Sequence, residues 1–493
     1  MLVATTPNNS VMSEIDTMSS TSHHGSSSLL TPLSSPEFEP SGTTEYNLKK
    51  FTSLYSEPVL NGIIDRACIG LKQFLASPTA PAMLPSCISR LPKGNETGTS
   101  LVVDLGGSTL RVAFVKLYGN HKRSDILLKN EYAVLDPTKQ LSGEGFFLWM
   151  AERIAQCLDI AIECGVISRD YEELQMGLSW SFPFSQSCIN RGVIEDMGKG
   201  YNVGADIIGW ELNHSFASAF SKLGLRIRVA AVVNDGSASM ISLAYLNPDT
   251  RISLILGTGL NAGVMFPTSM VSPAKLAKVV LDDDVSVCMV NTEISMVQSD
   301  VVAETCWDTE LDAHVERPGF QPLETKVSGR YMGEISRMII RDLIKYSNLC
   351  DGQLPKGFDT PYGFESSLMS DLEELYYANK MSEARQLFLS RHPSNYVTEV
   401  DFAQMCNIFV RVSTRSAALT AAILTSLACL LPREETKEVL IAFTGTVIEK
   451  YPFFQKRCQE FLDLLSIPRG MHLTLGYSED GSLLGPAIAA AME

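Results

Sequence analysis

Hydrophobic and polar positions follow two different rhythms along the chain, and the changes of rhythm mark the elements. Leu101 to Lys116 reads as strand, tight turn and strand: Leu-Val-Val-Asp, then Leu-Gly-Gly-Ser-Thr, then Leu-Arg-Val-Ala-Phe-Val-Lys, with β-branched residues in both arms. Ile227 to Val233 and Ile252 to Leu256 are further strand-like runs. Apolar residues recur at intervals of three and four over Phe147 to Cys164 and Tyr331 to Tyr346, which predicts helices. Strands and helices mixed in this way predict the α/β class. The longest apolar run, Ala417 to Leu431, is about one helix long and is interrupted by Thr420, Thr425 and Ser426. A membrane span needs roughly 20 apolar residues, so a buried core helix is expected there.

A faint internal echo joins Val103-Asp104-Leu105-Gly106-Gly107-Ser108-Thr109 to Leu254-Ile255-Leu256-Gly257-Thr258-Gly259-Leu260-Asn261, about 150 residues later. Each segment is a buried strand running into a Gly/Ser/Thr turn, which suggests two related α/β lobes. At 493 residues and 45% apolar composition the chain can fill more than one core; single cores seldom grow past roughly 250–300 residues. Residues 1–45 are rich in Ser, Thr and Pro and poor in large apolar side chains, so a disordered tail is expected, with ordered structure from near Phe51. Thr31-Pro32 and Ser35-Pro36 are phosphorylatable pairs within it.

Charge narrows the function class. A formal charge of −16 argues against a nucleic-acid or anionic-membrane partner. The tail carries acidic residues and no Lys or Arg before Lys49, the reverse of a mitochondrial presequence. Eleven scattered cysteines, with no C-x-x-C pair and no zinc-ligand spacing, fit free thiols in a reducing, cytoplasmic compartment.

Four turns are candidates for phosphate binding. In Asp104-Leu-Gly106-Gly107-Ser108-Thr109, two glycines let backbone N–H groups face phosphate oxygens, the hydroxyls add donors, and Asp104 could hold a hydrated Mg²⁺. An ordinary hairpin turn reads the same way. Gly257-Thr258-Gly259 and Gly445-Thr446 share the composition, and Gly481-Ser482 with Gly485 precede a helical stretch at Ala487 to Met492. Asn234-Asp235 follows the strand that ends at Val233, a geometry suited to a general base. Lys199, Glu293 and Glu324 lie in polar breaks, and converging Asn, Gln and Glu groups suit a polyol.

Taken in order, these segments resemble the hexokinase family from about residue 51 to the C-terminus. Leu101–Lys116 resembles D-L-G-G-T-N-x-R-V, Ser179-Trp-Ser-Phe-Pro resembles F-S-F-P, and Gly192 to Tyr201 resembles G-I-L-x-x-W-T-K-G-F. Asn234-Asp235 matches N-D, Gly257 to Asn261 matches G-T-G-x-N, and Asn291-Thr-Glu293 matches N-T-E-W. Arg317 to Glu324 and Ser328 to Glu334 match N-P-G-x-Q-x-x-E and S-G-x-Y-L-G-E. The resemblance implies a two-lobed actin-like ATPase fold whose cleft takes sugar and Mg·ATP. The small lobe would be 98–233 with the C-terminal helix 482–493, and the large lobe 46–97 with 234–481. It assigns sugar contacts to Ser181, Lys199, Asn234, Asp235, Asn261, Glu293, Gln321 and Glu324. Asp235 would act as base at the 6-hydroxyl, with Lys199 assisting the transferring phosphoryl. Asp104, Gly106, Gly107, Ser108, Thr109, Thr258, Gly445 and Thr446 would meet the nucleotide, with Arg111 bracing the first motif.

Departures from the family pattern point at the substrate. Gly198 stands for a Thr, Met197 and Ile294 for Trp residues, and Thr109 for an Asn, while Thr444 replaces the Asp of D-G-S and Leu483-Leu484 interrupt the last glycine-rich turn. Lost bulk around the sugar would suit a ligand larger than glucose, and the wording is most similar to that of the fungal N-acetylglucosamine kinases. The expectation is therefore an N-acetylglucosamine 6-kinase, with a glucose or hexose kinase and a non-catalytic regulator as the other readings.

Overall fold

The computed structural model describes residues 43–197, 201, 204–281, 284–297 and 300–492. Lys199, Gly198 and the Ser/Thr/Pro-rich stretch as far as residue 42 lie outside them. Order begins earlier than Phe51: a helix runs from Thr43 to Ser53, and Phe51 is its buried anchor against Trp307, ring centroids 6.1 Å apart.

Among the described residues the strands form two large sheets and a two-stranded ribbon, Phe184–Cys188 with Arg191–Ile194. The first sheet holds β1 (Thr97–Leu105), β2 (Thr109–Tyr118), β3 (Asp125–Ala133), β4 (Leu174–Trp180) and β5 (Ile227–Val233) in the order β3-β2-β1-β4-β5. The second holds β6 (Thr250–Leu256), β7 (Leu260–Pro267), β8 (Val287–Asn291), β9 (Glu438–Thr444) and β10 (His472–Tyr477) in the order β8-β7-β6-β9-β10, with Leu84–Pro85 added beyond β8. In each sheet the first three strands are antiparallel and the last two join in parallel. The echo between residues 103–109 and 254–261 is thus the opening hairpin of two sheets of one topology.

Helices cover both outer faces. On the first sheet lie α2 (Gly143–Glu163) and α3 (Leu212–Leu223), whose Phe146, Phe147 and Phe216 pack with Trp180. On the second, α1 (Glu57–Ala76) and α7 (Phe454–Ser466) pack on α6 (Glu399–Leu430). The apolar run at 417–431 is the last half of α6, and its residues are almost all buried, as expected of a core helix. The apolar stripe of α5 (Gly329–Ser347) also faces this core.

Between the two sheets lies a layer of two helices, α4 (Asp235–Leu246) and α8 (Gly481–Ala491). Val102, Ala230, Met240, Ile241, Leu483 and Ile488 build its core. Composition placed Gly481, Ser482 and Gly485 in a turn before a helix at 487, whereas the family resemblance gave a helix over 482–493; all three lie inside α8. Helix propensity is overridden by packing here, because a Cβ at Gly485 would stand 2.2 Å from the Ala238 carbonyl oxygen of α4. Both helices of this layer begin at the site.

Candidate active site

The first phosphate turn hangs between β1 and β2. The Gly106 N–H donates to the Thr109 carbonyl at 3.0 Å, which closes the turn, and the Val134 N–H holds the Ser108 carbonyl at 2.9 Å. Ser108 is exposed at the tip, while Gly106, Gly107 and Thr109 are half-buried. Asp104 sits below, buried, with Oδ2 accepting from Arg111 Nη1 at 2.8 Å and from the Ser482 hydroxyl at 3.0 Å. Burial pushes the Asp104 carboxyl above the ordinary range, against the opposing pull of Ser179, Arg111 and Ser482. Ser482 thereby ties the first turn of α8 to the phosphate hairpin.

The second and third turns meet each other. Gly257 closes its hairpin on the Gly259 carbonyl at 3.0 Å and accepts from the Gly329 N–H at 2.8 Å. A Cβ on Gly257 would lie 3.2 Å from the Thr446 backbone nitrogen, so the Thr258 and Gly445-Thr446 turns are neighbours. Gly445 has φ +119°, and a Cβ there would stand 2.4 Å from the Leu256 carbonyl oxygen, so only glycine fits. Glu449 Oε1 accepts from the Gly445 N–H at 2.6 Å and the Thr444 hydroxyl at 2.7 Å. Thr258 and Thr446 present exposed side chains.

The polar cluster lies where β5 and β7 end and begin. Asn234 caps α4 by accepting from the Ser237 N–H at 2.7 Å, which fixes Asp235 as the first residue of that helix. Asp235 is half-buried and, among the described residues, accepts only from its neighbour, the Gly236 N–H, at 2.9 Å. Asn261 Nδ2 donates to Asn291 Oδ1 at 2.9 Å, and Asn291 Nδ2 donates to Glu293 Oε1 at 2.8 Å. Glu324 Oε2 accepts from the Leu260 N–H at 2.8 Å. Burial raises the carboxyls of Glu293 and Glu324, and mutual repulsion adds to it: Asp235 acts on Glu293, and Glu293 on Glu324. These three carboxyls therefore share one site.

Glu293 and Gln321 have left-handed backbones, φ 45° and 54°. Such conformations cost of order 1–3 kcal/mol and collect at functional sites. Gln321 Nε2 donates to Ser295 Oγ at 3.2 Å, and Ser181 is half-buried beside the first turn, its N–H on the Leu105 carbonyl at 3.2 Å. All the expected site residues but Lys199 are described, and they fall on the three turns, with Ser181 beside the first, and in the polar cluster. Asn291 and Ser482 were not assigned from the sequence. Asn291 stands inside the N-T-E run and Ser482 inside the fourth candidate turn, so each had a signal. The lost bulk at 197 and 294 reads differently in three dimensions. Met197 and Ile294 are each about 1% exposed and belong to apolar cores, so neither side chain lines an open pocket.

Family models described as Hexokinase match residues 51–245 and 251–492. Hexokinase-2 of Candida albicans is 29% identical over 417 residues, covering 83% of this chain and 84% of its own. Hexokinase-1 of Schizosaccharomyces pombe is 29% identical over 441 residues, covering 88% of each chain. A solved hexokinase from Schistosoma mansoni, complexed with glucose, superposes with a TM-score of 0.74 at 25% identity, covering 92% of this chain and 100% of that one. The fold is the two-domain mixed α/β fold of that structure. The relatives named here are hexokinases, and an amino-sugar specificity finds no support among them.

Proposed function

The chain belongs to the hexokinase family of sugar kinases, and from that premise we propose that it transfers the γ-phosphoryl of ATP to the 6-hydroxyl of a hexose, glucose before an amino sugar. The observation that carries this reading is the Asp235 carboxylate at the head of α4, beside Asn261, Glu293 and Glu324. Asp235 takes the 6-hydroxyl proton as the sugar oxygen bonds to the γ-phosphorus and the bond to the β–γ bridging oxygen breaks, releasing ADP. Glu293, Glu324, Asn261, Asn234 and Gln321 accept from and donate to ring hydroxyls, with Ser181 and Lys199 completing the set. The turns at Gly106–Thr109, Thr258 and Gly445-Thr446 receive the phosphates, and Arg111 braces Asp104 beneath them.

Mg²⁺ would neutralise the phosphate oxygens in such a reaction. Among the described residues no group of three or more His, Cys, Asp or Glu could hold an ion. Arg111 and the Ser482 hydroxyl both donate to Oδ2 of Asp104, and the carboxylate would meet the ion through water. The residues fit an ion that arrives on the nucleotide. Closure of the lobe 98–233 plus 482–493 onto the rest would assemble the two groups and exclude water.

The amino-sugar reading retains Gly198 in place of a threonine and the wording of its motifs. A coupled ADP-release assay on glucose, mannose and N-acetylglucosamine at matched Mg·ATP tests the proposal. Glucose or mannose turnover above N-acetylglucosamine is expected. A preference for N-acetylglucosamine would restore the amino-sugar kinase, and binding without turnover of any sugar would leave a regulator.

A further inference from the structure

Two of the cysteines are partners. Cys68 lies on α1 and Cys429 in the last turn of α6, two helices that pack side by side across the outer face of the second sheet. The Cys68 thiol points at the Ser426 carbonyl of α6, Sγ to oxygen 3.5 Å. Cys429 follows Ser426 by three residues and so stands one turn further along the same helix face. Cys429 is exposed and Cys68 half-buried, and the larger influence on each thiol is its hydrogen bond with the other.

We propose that Cys68 and Cys429 form a peroxide-responsive disulfide that staples α1 to the end of α6. The two thiols divide the work. Cys429 is the one open to solvent, and its bond with Cys68, helped by Arg469, holds it below the ordinary thiol value, while half-buried Cys68 is pushed up by the same bond and by burial. Cys429 is the attacking thiolate and Cys68 the resolving thiol. The Cys429 sulfur attacks one oxygen of a peroxide, the O–O bond breaks, and hydroxide leaves and is protonated to water, giving a sulfenic acid. The Cys68 sulfur then attacks that sulfur, the S–O bond breaks, and the thiol proton leaves with the hydroxyl as a second water. Two thiols are oxidised and one peroxide is reduced.

A second near pair in the molecule sets the contrast. Cys87 is also influenced by Cys188, yet burial raises it to about 12, and the Cys188 thiol donates to Asn190 Oδ1 at 3.3 Å. Cys87 therefore offers no thiolate to begin the reaction.

Peptide mapping without reductant tests this on the full chain, after hydrogen peroxide and blocking with N-ethylmaleimide. A link between the Cys68 and Cys429 peptides is expected, reversed by dithiothreitol and abolished in Cys429→Ser. In Cys68→Ser the Cys429 sulfenic acid should persist and be trapped by dimedone. Oxidation of exposed Cys164 or Cys306 ahead of Cys429 would overturn the proposal, as would a dimedone adduct on wild-type Cys429 with no link formed. Neither readout depends on kinase activity.

Discussion

The Tyr201 hydroxyl donates to the Gly106 carbonyl at 3.0 Å, joining the segment after Lys199 to the first phosphate turn. The family pattern has phenylalanine at this position, so the bond is a feature of this chain. Burial raises the Tyr201 hydroxyl, which keeps it a donor at neutral pH. Its ring packs on Phe182 and Phe146 and lies 5.2 Å from the Lys139 ammonium, so Tyr201→Phe removes only the hydroxyl. One neutral hydrogen bond contributes about 0.5–1.5 kcal/mol, or roughly 2–10-fold. We expect KM for ATP to rise by that factor, with kcat and sugar affinity little changed. A variant with unaltered KM would show the contact to be incidental.

Asp235→Asn separates chemistry from binding. Asparagine keeps the size of the side chain and an accepting oxygen, so the contact with the Gly236 N–H survives. Loss of a general base costs about 10²–10⁴ in rate. Turnover should fall by that much while the sugar dissociation constant, measured by calorimetry, stays within about tenfold. Half-maximal activity in this variant would remove Asp235 from the role.

With Glu293 and Glu324 in the sugar site as proposed, sugar binding acquires a pH dependence with a defined sign. Their carboxyls are raised in the folded, sugar-free protein, chiefly by burial. A raised folded value gives stability that is full below the unfolded value and is lost as pH rises through the folded one. Sugar hydroxyls that donate to the carboxylates favour the charged form and lower those values again. Binding therefore releases protons, and affinity should increase as pH rises above the ordinary glutamate range. Calorimetry in two buffers of different ionisation enthalpy measures the release. Proton uptake on binding would contradict the assignment of both carboxylates to the sugar.

The sequence revealed what repeats locally and concealed what is made at long range. β5 was read with its true ends because Ile227 to Val233 is an unbroken apolar run before a capping Asn. The first half of α6 was not read. It carries Ser413, Arg415 and Ser416, which break the apolar stripe, yet all three are buried and find partners on distant elements. The ribbon at 184–194 was missed too, since its alternating, half-exposed residues give no strong period. The site was legible as motifs, but Tyr201 on Gly106 and Ser482 on Asp104 exist only once the chain has folded.

Arg415 also predicts a large loss of stability in the large core. It is fully buried and donates through Nη1 to both oxygens of Asp308 at 2.9 Å, while its guanidinium lies 4.3 Å from the Phe51 ring. Asp308 in turn closes a capping box with Thr305 at the start of its own helix, Cys306–His314. Two charges taken out of water balance only as a pair, and removing one leaves the other uncompensated, at a cost of about 3–5 kcal/mol. Asp308→Ala should lose that much, plus the cap, as a lower urea midpoint. Asp308→Asn should keep part of the cap and lose most of the ion pair. Burial alone would raise Asp308, but Arg415, Lys326 and Thr305 overcome it and hold the carboxyl below its ordinary value. A depressed acid gives stability that is present above the unfolded value, about 3.9, and is lost as pH falls through the folded one. The wild-type advantage over Asp308→Asn should thus be constant near neutrality and shrink in strong acid. An advantage that grew on acidification would mean that the aspartate is protonated in the native core.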